Sequence, residues 1–241
     1  AQLKEYILSQ SFSPGEKLPS ETEFAEIFGV SRGTIREALH ILEHDGIVRI
    51  KKGPGGGLFL SEGNLGQVIE SMFFTMCREQ ISFEMLMEAR KTLEDRIARL
   101  AAIRAEEEDI EEIDRILKDM EAPGLSHDLF VKYDTEFHVG LARAAKNKVL
   151  LMFMVAVKEL HNRIINYAEL HDSLFPEAIR YHHKIHNEIK ARNPEKAAQV
   201  MAEHLEYFEK HTSGLRKKKG KPSARTEQET SSKYRSEWKI Q

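Results

Sequence analysis

The chain has 241 residues, with 36 Lys and Arg against 39 Asp and Glu, a formal charge of −3 and a single cysteine, Cys77. That length accommodates two separate cores, and one cysteine excludes an internal disulfide framework. The longest apolar run, Val149 to Val157, is flanked by Lys148 and Lys158 and falls well short of the roughly 20 residues that span a bilayer. No segment joins a basic start to an apolar run and a small-residue cleavage site, so the expected compartment is the cytoplasm and no membrane partner is expected. Charge is unevenly spread: residues 1–62 carry 7 basic and 9 acidic side chains, residues 63–214 carry 20 and 27, and residues 215–241 carry 9 and 3. Net charge gives no nucleic-acid signal for the first segment, so any such case rests on where its basic residues fall.

Between Leu3 and Phe28 two short amphipathic stretches flank Ser13-Pro14-Gly15, a turn sequence in which proline fixes φ and glycine admits positive φ. After Pro19, Ser20 and Glu23 have capping-box spacing, which starts a helix that carries Phe24, Ala25 and Phe28 inward. Gly29 ends it, Ser31 caps the next helix, and Ile35, Ala38, Leu39 and Leu42 give that helix one apolar face. Gly46 terminates it. Ile47 to Ile50 and Leu58 to Leu60 then read as short strands around Lys51-Lys52-Gly53-Pro54-Gly55-Gly56-Gly57, a hairpin with a basic, glycine-rich tip. From Asn64 to His211 the pattern is helical, with breaks at Gln80-Ile81-Ser82, Ala105, Pro123-Gly124, Asn147, Phe175-Pro176 and Asn193-Pro194, which gives about seven helices. Beyond that, residues lose apolar periodicity and read as a disordered basic tail. The expected fold is mainly α: a winged helix-turn-helix of three helices and a β-hairpin over 1–62, an all-α bundle over 63–213, and a tail over 214–241.

In a helix-turn-helix the second helix lies in the major groove and its first turns reach base edges. Arg32 and Arg36 share the face opposite Ile35 and Leu39, and Ser31 and Thr34 add hydroxyls suited to phosphate or base contact. Two arginines on a helix are ordinarily a solvated face; the basic glycine-rich hairpin tip, able to approach a minor groove closely, favours DNA here. Leu18-Pro19-Ser20-Glu21, Val30 to Leu39 and Leu42-Glu43-His44-Asp45-Gly46 together resemble the GntR family of bacterial regulators, over residues 1–60. The resemblance implies that Arg32, Thr34 and Arg36 contact bases and phosphates of double-stranded operator DNA, with Lys52 and Gly53 entering the minor groove. Thr22 stands where the family usually has an arginine, so one expected DNA contact is missing or weakened.

Asp134 and His138, at i and i+4 on one helix, are spaced for two ligands of one metal, although such a pair is more often a surface hydrogen bond or ion pair. His182, His183 and His186 lie on a later helix and His204 on the last one. A histidine on an apolar face is more often a satisfied core residue than a ligand. Histidines from three helices with one carboxylate nevertheless match a borderline divalent ion such as Zn²⁺, Ni²⁺ or Mn²⁺.

Glu88-Ala89-Arg90 with Leu93-Glu94, Phe130 through His138 to Asn147, His182 with Ile185 and Ile189, and Ala202-Glu203-His204-Leu205 resemble the FCD sensing domain of the FadR-type branch, over residues 66–210. The resemblance implies a divalent metal, zinc foremost, held by Asp134, His138, His182 and His204, with His183 or His186 as alternatives to His182. It further implies a small carboxylate effector that completes the coordination. Arginine is the natural clamp for a carboxylate because its fork donates two parallel hydrogen bonds. Arg90 is the first candidate and Arg163 the second, each with an ion pair to a neighbouring glutamate as the plainer reading. The expected function is an effector-responsive repressor, working as a homodimer and not as an enzyme. A regulator with the metal itself as signal is the alternative. A metal-dependent hydrolase is the weakest reading, because Glu136 and Glu203, beside the ligands in sequence, point to other helix faces.

Overall fold

The computed structural model describes residues 1–61, 65–79, 81–164 and 172–212, in which ten helices and two strands are formed. The expected tail over 214–241, residues 62–64 at the expected domain boundary and Gln80 of the first bundle break lie outside the described residues. The chain divides into two compact units between Val68 and Ile69.

The first unit begins with α1 (Gln2–Ser9), which buries Leu3 and Ile7. Helix α2 (Glu21–Phe28) starts on the expected capping box: Ser20 Oγ accepts from Glu23 N at 3.3 Å, and Ser20 N donates to the Glu23 carboxylate at 2.7 Å. It stops at Gly29, whose φ of +65° is left-handed and favours glycine. One turn later Ser31 caps α3 (Arg32–His44), which buries Ile35, Leu39 and Leu42. Strands β1 (Val48–Lys51) and β2 (Gly57–Leu60) pair antiparallel, with Val48 opposite Leu60 and Lys51 opposite Gly57. A segment not read as extended from the sequence, Glu16 to Leu18, runs along β2: Leu18 N donates to Leu58 O and Leu60 N to Glu16 O, each at 2.8 Å. Leu3, Ile7, Leu18, Phe24, Ile35, Leu39, Leu42, Val48 and Leu58 form one core. This is a winged helix-turn-helix.

The second unit is helical throughout its described part, and α4 (Leu65–Arg78) crosses the division between the units. Helix α5 (Phe83–Arg104) is the axis of the bundle and packs on α7 (His127–Ala144), α8 (Lys148–Ile164), α9 (Phe175–Lys190) and α10 (Pro194–Thr212). Helix α6 (Glu107–Met120) closes the side against α7 and α9. The boundaries follow elementary rules: Ser82 caps α5, Ser126 caps α7, and Pro176 sits in the first turn of α9, where its missing N–H costs nothing. These seven helices, with a 3₁₀ turn at 172–174, are the architecture expected from the sequence. Among the described residues, no helix is long and apolar enough to cross a membrane.

Candidate functional site

Two sites stand out, one in each unit. In the first, Ser31 Oγ accepts from Thr34 N at 3.1 Å and lies 2.9 Å from Thr34 Oγ1, so the two hydroxyls rim the N-terminus of α3. Arg32 and Arg36 are exposed on the following turns. Arg36 is held side-on by Glu21 of α2: its Nε lies 3.2 and 3.1 Å from the two carboxylate oxygens, and its Nη2 lies 2.7 Å from Oε2. At the hairpin tip Lys51, Lys52 and Gly53 are exposed. Gly56 is the tightest position of the turn, because a Cβ there would lie 2.3 Å from Lys51 O and 2.7 Å from Gly53 O. The glycines therefore allow a narrow, backbone-dense tip.

The second site lies inside the bundle. Asp134 and His138 reach inward from α7, His182 from α9 and His204 from α10, and all four are buried. Their ligand atoms lie within 4.8 Å of one another. His182 Nε2 is 3.3 Å from His204 Nε2, which is 3.4 Å from His138 Nε2; Asp134 Oδ1 lies 3.5 Å from His182 Nε2 and 3.8 Å from His138 Nε2. Phe137 stacks on the His182 ring at 4.1 Å and fixes its plane. The competing histidines face away: His183 Nε2 contacts Glu121 Oε1 at 2.9 Å, and His186 Nε2 contacts Asp114 Oδ1 at 2.8 Å. Register on one helix separates them, since His182 shares its inward face with Ile185 and Ile189.

Behind the cluster lies a layer of which the sequence singled out Arg90 but not Glu94, Lys158 or His161. Arg90 and Glu94 of α5, each 1 % exposed, pair with each other. Glu94 Oε2 presses on His138 Nδ1, while Arg90 Nη2 lies 3.2 Å from His138 Nε2 and Nη1 lies 3.2 Å from His161 Nε2. Lys158 of α8, also 1 % exposed, holds Asp134 Oδ2. Burial lowers the pKa of His182, His204 and His161 well below the ordinary histidine value, and that of His138 to a lesser degree against the pull of Glu94. Burial also brings Lys158 down to about 8, with neighbouring Arg90 pushing the same way. The carboxyl of Asp134 stays ionised despite burial, because the ammonium of Lys158 favours its charge.

The donor set fits a divalent cation. The imidazoles are neutral, and a neutral imidazole has one N–H; with the His138 proton on Nδ1 against Glu94, its Nε2 is a lone pair aimed at the cluster. Three imidazole nitrogens and a carboxylate oxygen turned on one another within 4.8 Å are a set that one cation can satisfy together. Such a set suits zinc, nickel or manganese.

Arg163, the second expected clamp, is engaged elsewhere. Its Nε meets Glu159 at 2.9 Å, its Nη2 meets Glu70 at 2.6 Å, and its guanidinium lies over Phe73. The plainer ion-pair reading describes it. Arg90 also carries its expected glutamate pair, yet it touches the cluster.

A winged recognition helix followed by a helical bundle defines the class: a DNA-binding transcription regulator with a separate helical domain. Residues 1–57 match the description "Bacterial regulatory proteins, gntR family" and residues 85–207 match "FCD domain". The chain is 33 % identical over 214 residues to the HTH-type transcriptional regulator LutR of Bacillus subtilis strain 168, covering 86 % of this chain and 96 % of that one. It is 29 % identical over 214 residues to the HTH-type transcriptional repressor NanR of Enterobacter sp. strain 638, covering 85 % and 80 %. Among solved structures, a Streptococcus agalactiae GntR protein superposes with a TM-score of 0.64 at 26 % identity, covering 87 % of this chain and 96 % of that one. The chain belongs to the GntR family of transcription regulators, in the branch that carries an FCD domain, and it is not an enzyme.

Proposed function

We propose that this regulator is a repressor whose operator binding is switched by a small carboxylate bound beside a divalent metal in the bundle. The observation that carries the reading is the convergence of Asp134, His138, His182 and His204 within 4.8 Å, with Arg90 touching the same cluster. The metal would supply open coordination positions for a carboxylate. Asp134 and His138 tie α7 to the site, His182 ties α9 and His204 ties α10, so any shift of one ligand is felt by three helices. Glu94 keeps His138 in the ligating tautomer, and Arg90 presents a guanidinium to an arriving carboxylate. A ligand shifts DNA affinity only by binding two arrangements of the protein unequally.

On the DNA side, Arg32, Thr34 and Arg36 read bases and phosphates in the major groove, and Lys52 and Gly53 reach the minor groove from the wing. One head buries little DNA surface, so two copies read an inverted repeat. The reading is tested by stripping the chain with chelator and titrating zinc, nickel and manganese separately into it and into His204→Ala. One ion per chain in the wild type and none in the variant supports it; equal uptake overturns it. Zinc that alone releases operator DNA makes the metal the signal.

A further inference from the structure

Glu21 is the first residue of α2, outside the stretch that enters the major groove, yet its carboxylate closes on Arg36 of α3. Five N–H groups are fixed in the plane of a guanidinium. Glu21 takes the side-on edge, Nε–H and one Nη2–H. The end-on edge, formed by Nη1 and the outer Nη2–H, keeps two parallel donors with the spacing that matches guanine O6 and N7. The Arg36 side chain is 53 % exposed, which leaves it accessible to a base while Glu21 holds its side-on edge. We propose that Glu21 is a specificity-determining residue: its side-on clamp on Arg36 holds the end-on guanidinium edge for one guanine and keeps Arg36 from serving as a phosphate contact.

Two physical consequences separate this role from an ordinary surface ion pair. A bidentate clamp leaves Arg36 one orientation, whereas an unclamped arginine samples many rotamers and reaches phosphates above and below the base. A guanidinium already paired with a carboxylate also replaces few DNA counterions, so Arg36 adds little to the salt dependence of binding while the clamp holds. Arg32, one turn earlier on the same face, remains suited to a phosphate.

The inference rests on the reading of Arg36 as a base contact, and the test separates the two. Full-length wild type, Glu21→Gln, Glu21→Asp and Arg36→Ala are each used to select from a pool of random-sequence duplex DNA, and the affinity of each for the wild-type consensus is followed against salt. Glu21→Gln should lose about tenfold discrimination at the one base pair that Arg36→Ala also loses. Its log–log salt slope should steepen by about 0.9 per head, as Arg36 becomes free to take a phosphate. Glu21→Asp, which retains the carboxylate, should recover discrimination and thereby exclude misfolding of α2 as the cause. A wild-type profile and slope in Glu21→Gln, with Arg36→Ala still losing one position, overturns the inference alone. Wild-type profiles in both variants overturn the base reading of Arg36 and this inference with it.

Discussion

Glu94→Gln separates the layers of the bundle site. The substitution keeps size and shape but removes a charge that faces two groups at once, Arg90 Nε and His138 Nδ1. Arg90 is 1 % exposed and cannot shed its proton, so the metal-stripped variant retains a buried cation without its main counter-charge. Removing one partner of such a pair costs about 3–5 kcal/mol of folding stability. Glutamine offers one carbonyl acceptor to two donors; with that oxygen on Arg90, its NH2 faces His138 Nδ1 and disfavours the ligating tautomer, and loss of an outer partner of this kind lowers metal affinity by about 10–100-fold. Urea unfolding of the stripped chain reads the first effect, and zinc competition against a chelator of known affinity reads the second. A full stability loss with unchanged zinc affinity would show that Glu94 serves Arg90 alone, and the proposed orientation of His138 would be wrong.

His182→Ala should abolish zinc uptake while His183→Ala leaves it intact; the reverse order would move the ligand by one position on α9. Arg163→Ala should cost about 1 kcal/mol, the scale of its half-exposed ion pairs, and leave effector affinity unchanged in calorimetry; lost effector binding would restore it as a clamp. The folded pKa of His161 lies below 6.5, so the unfolded chain binds the extra proton and stability falls as pH drops below that value. His161→Phe should therefore flatten the urea-measured stability of the stripped chain between pH 7 and 5.5 by up to about 1.4 kcal/mol per pH unit, and equal slopes would contradict this. Gly56→Ala, which drives a Cβ into Lys51 O, should cost the folded turn about 1–3 kcal/mol and weaken operator binding while zinc uptake stays at the wild-type level; unchanged operator affinity would remove the wing from the DNA contact.

The head was legible because punctuation and periodicity agree: Ser20 with Glu23, Gly29, Ser31 and Gly46 mark the ends of elements whose apolar positions then define one core. The bundle was legible as helices for the same reason, and the i, i+4 spacing of Asp134 and His138 placed both on one helix face, which the structure buries. Arg90 was read for its fork, whereas Glu94, Lys158 and His161 were not assigned to the site, since polar residues read as solvated until their burial is known. A signal was present. On α5 the buried stripe runs Met87, Arg90, Glu94, Ile97 and Ala101, and on α8 it runs Leu151, Val155, Lys158 and His161. Extending the apolar stripe at helical period places these charges in the core, where they need partners. The Glu21–Arg36 contact, fifteen residues apart in sequence, depends on how α2 and α3 pack and has no local signature.

In the proposed switch, the bundle cluster controls the head. Operator release by a panel of small hydroxy, sugar-acid and dicarboxylate anions should be measured on the same full-length protein, zinc-loaded and zinc-stripped. At least one carboxylate should release the operator from the loaded protein, and stripping should abolish this response. Release at the same carboxylate concentration from stripped and loaded protein would contradict the proposed switch.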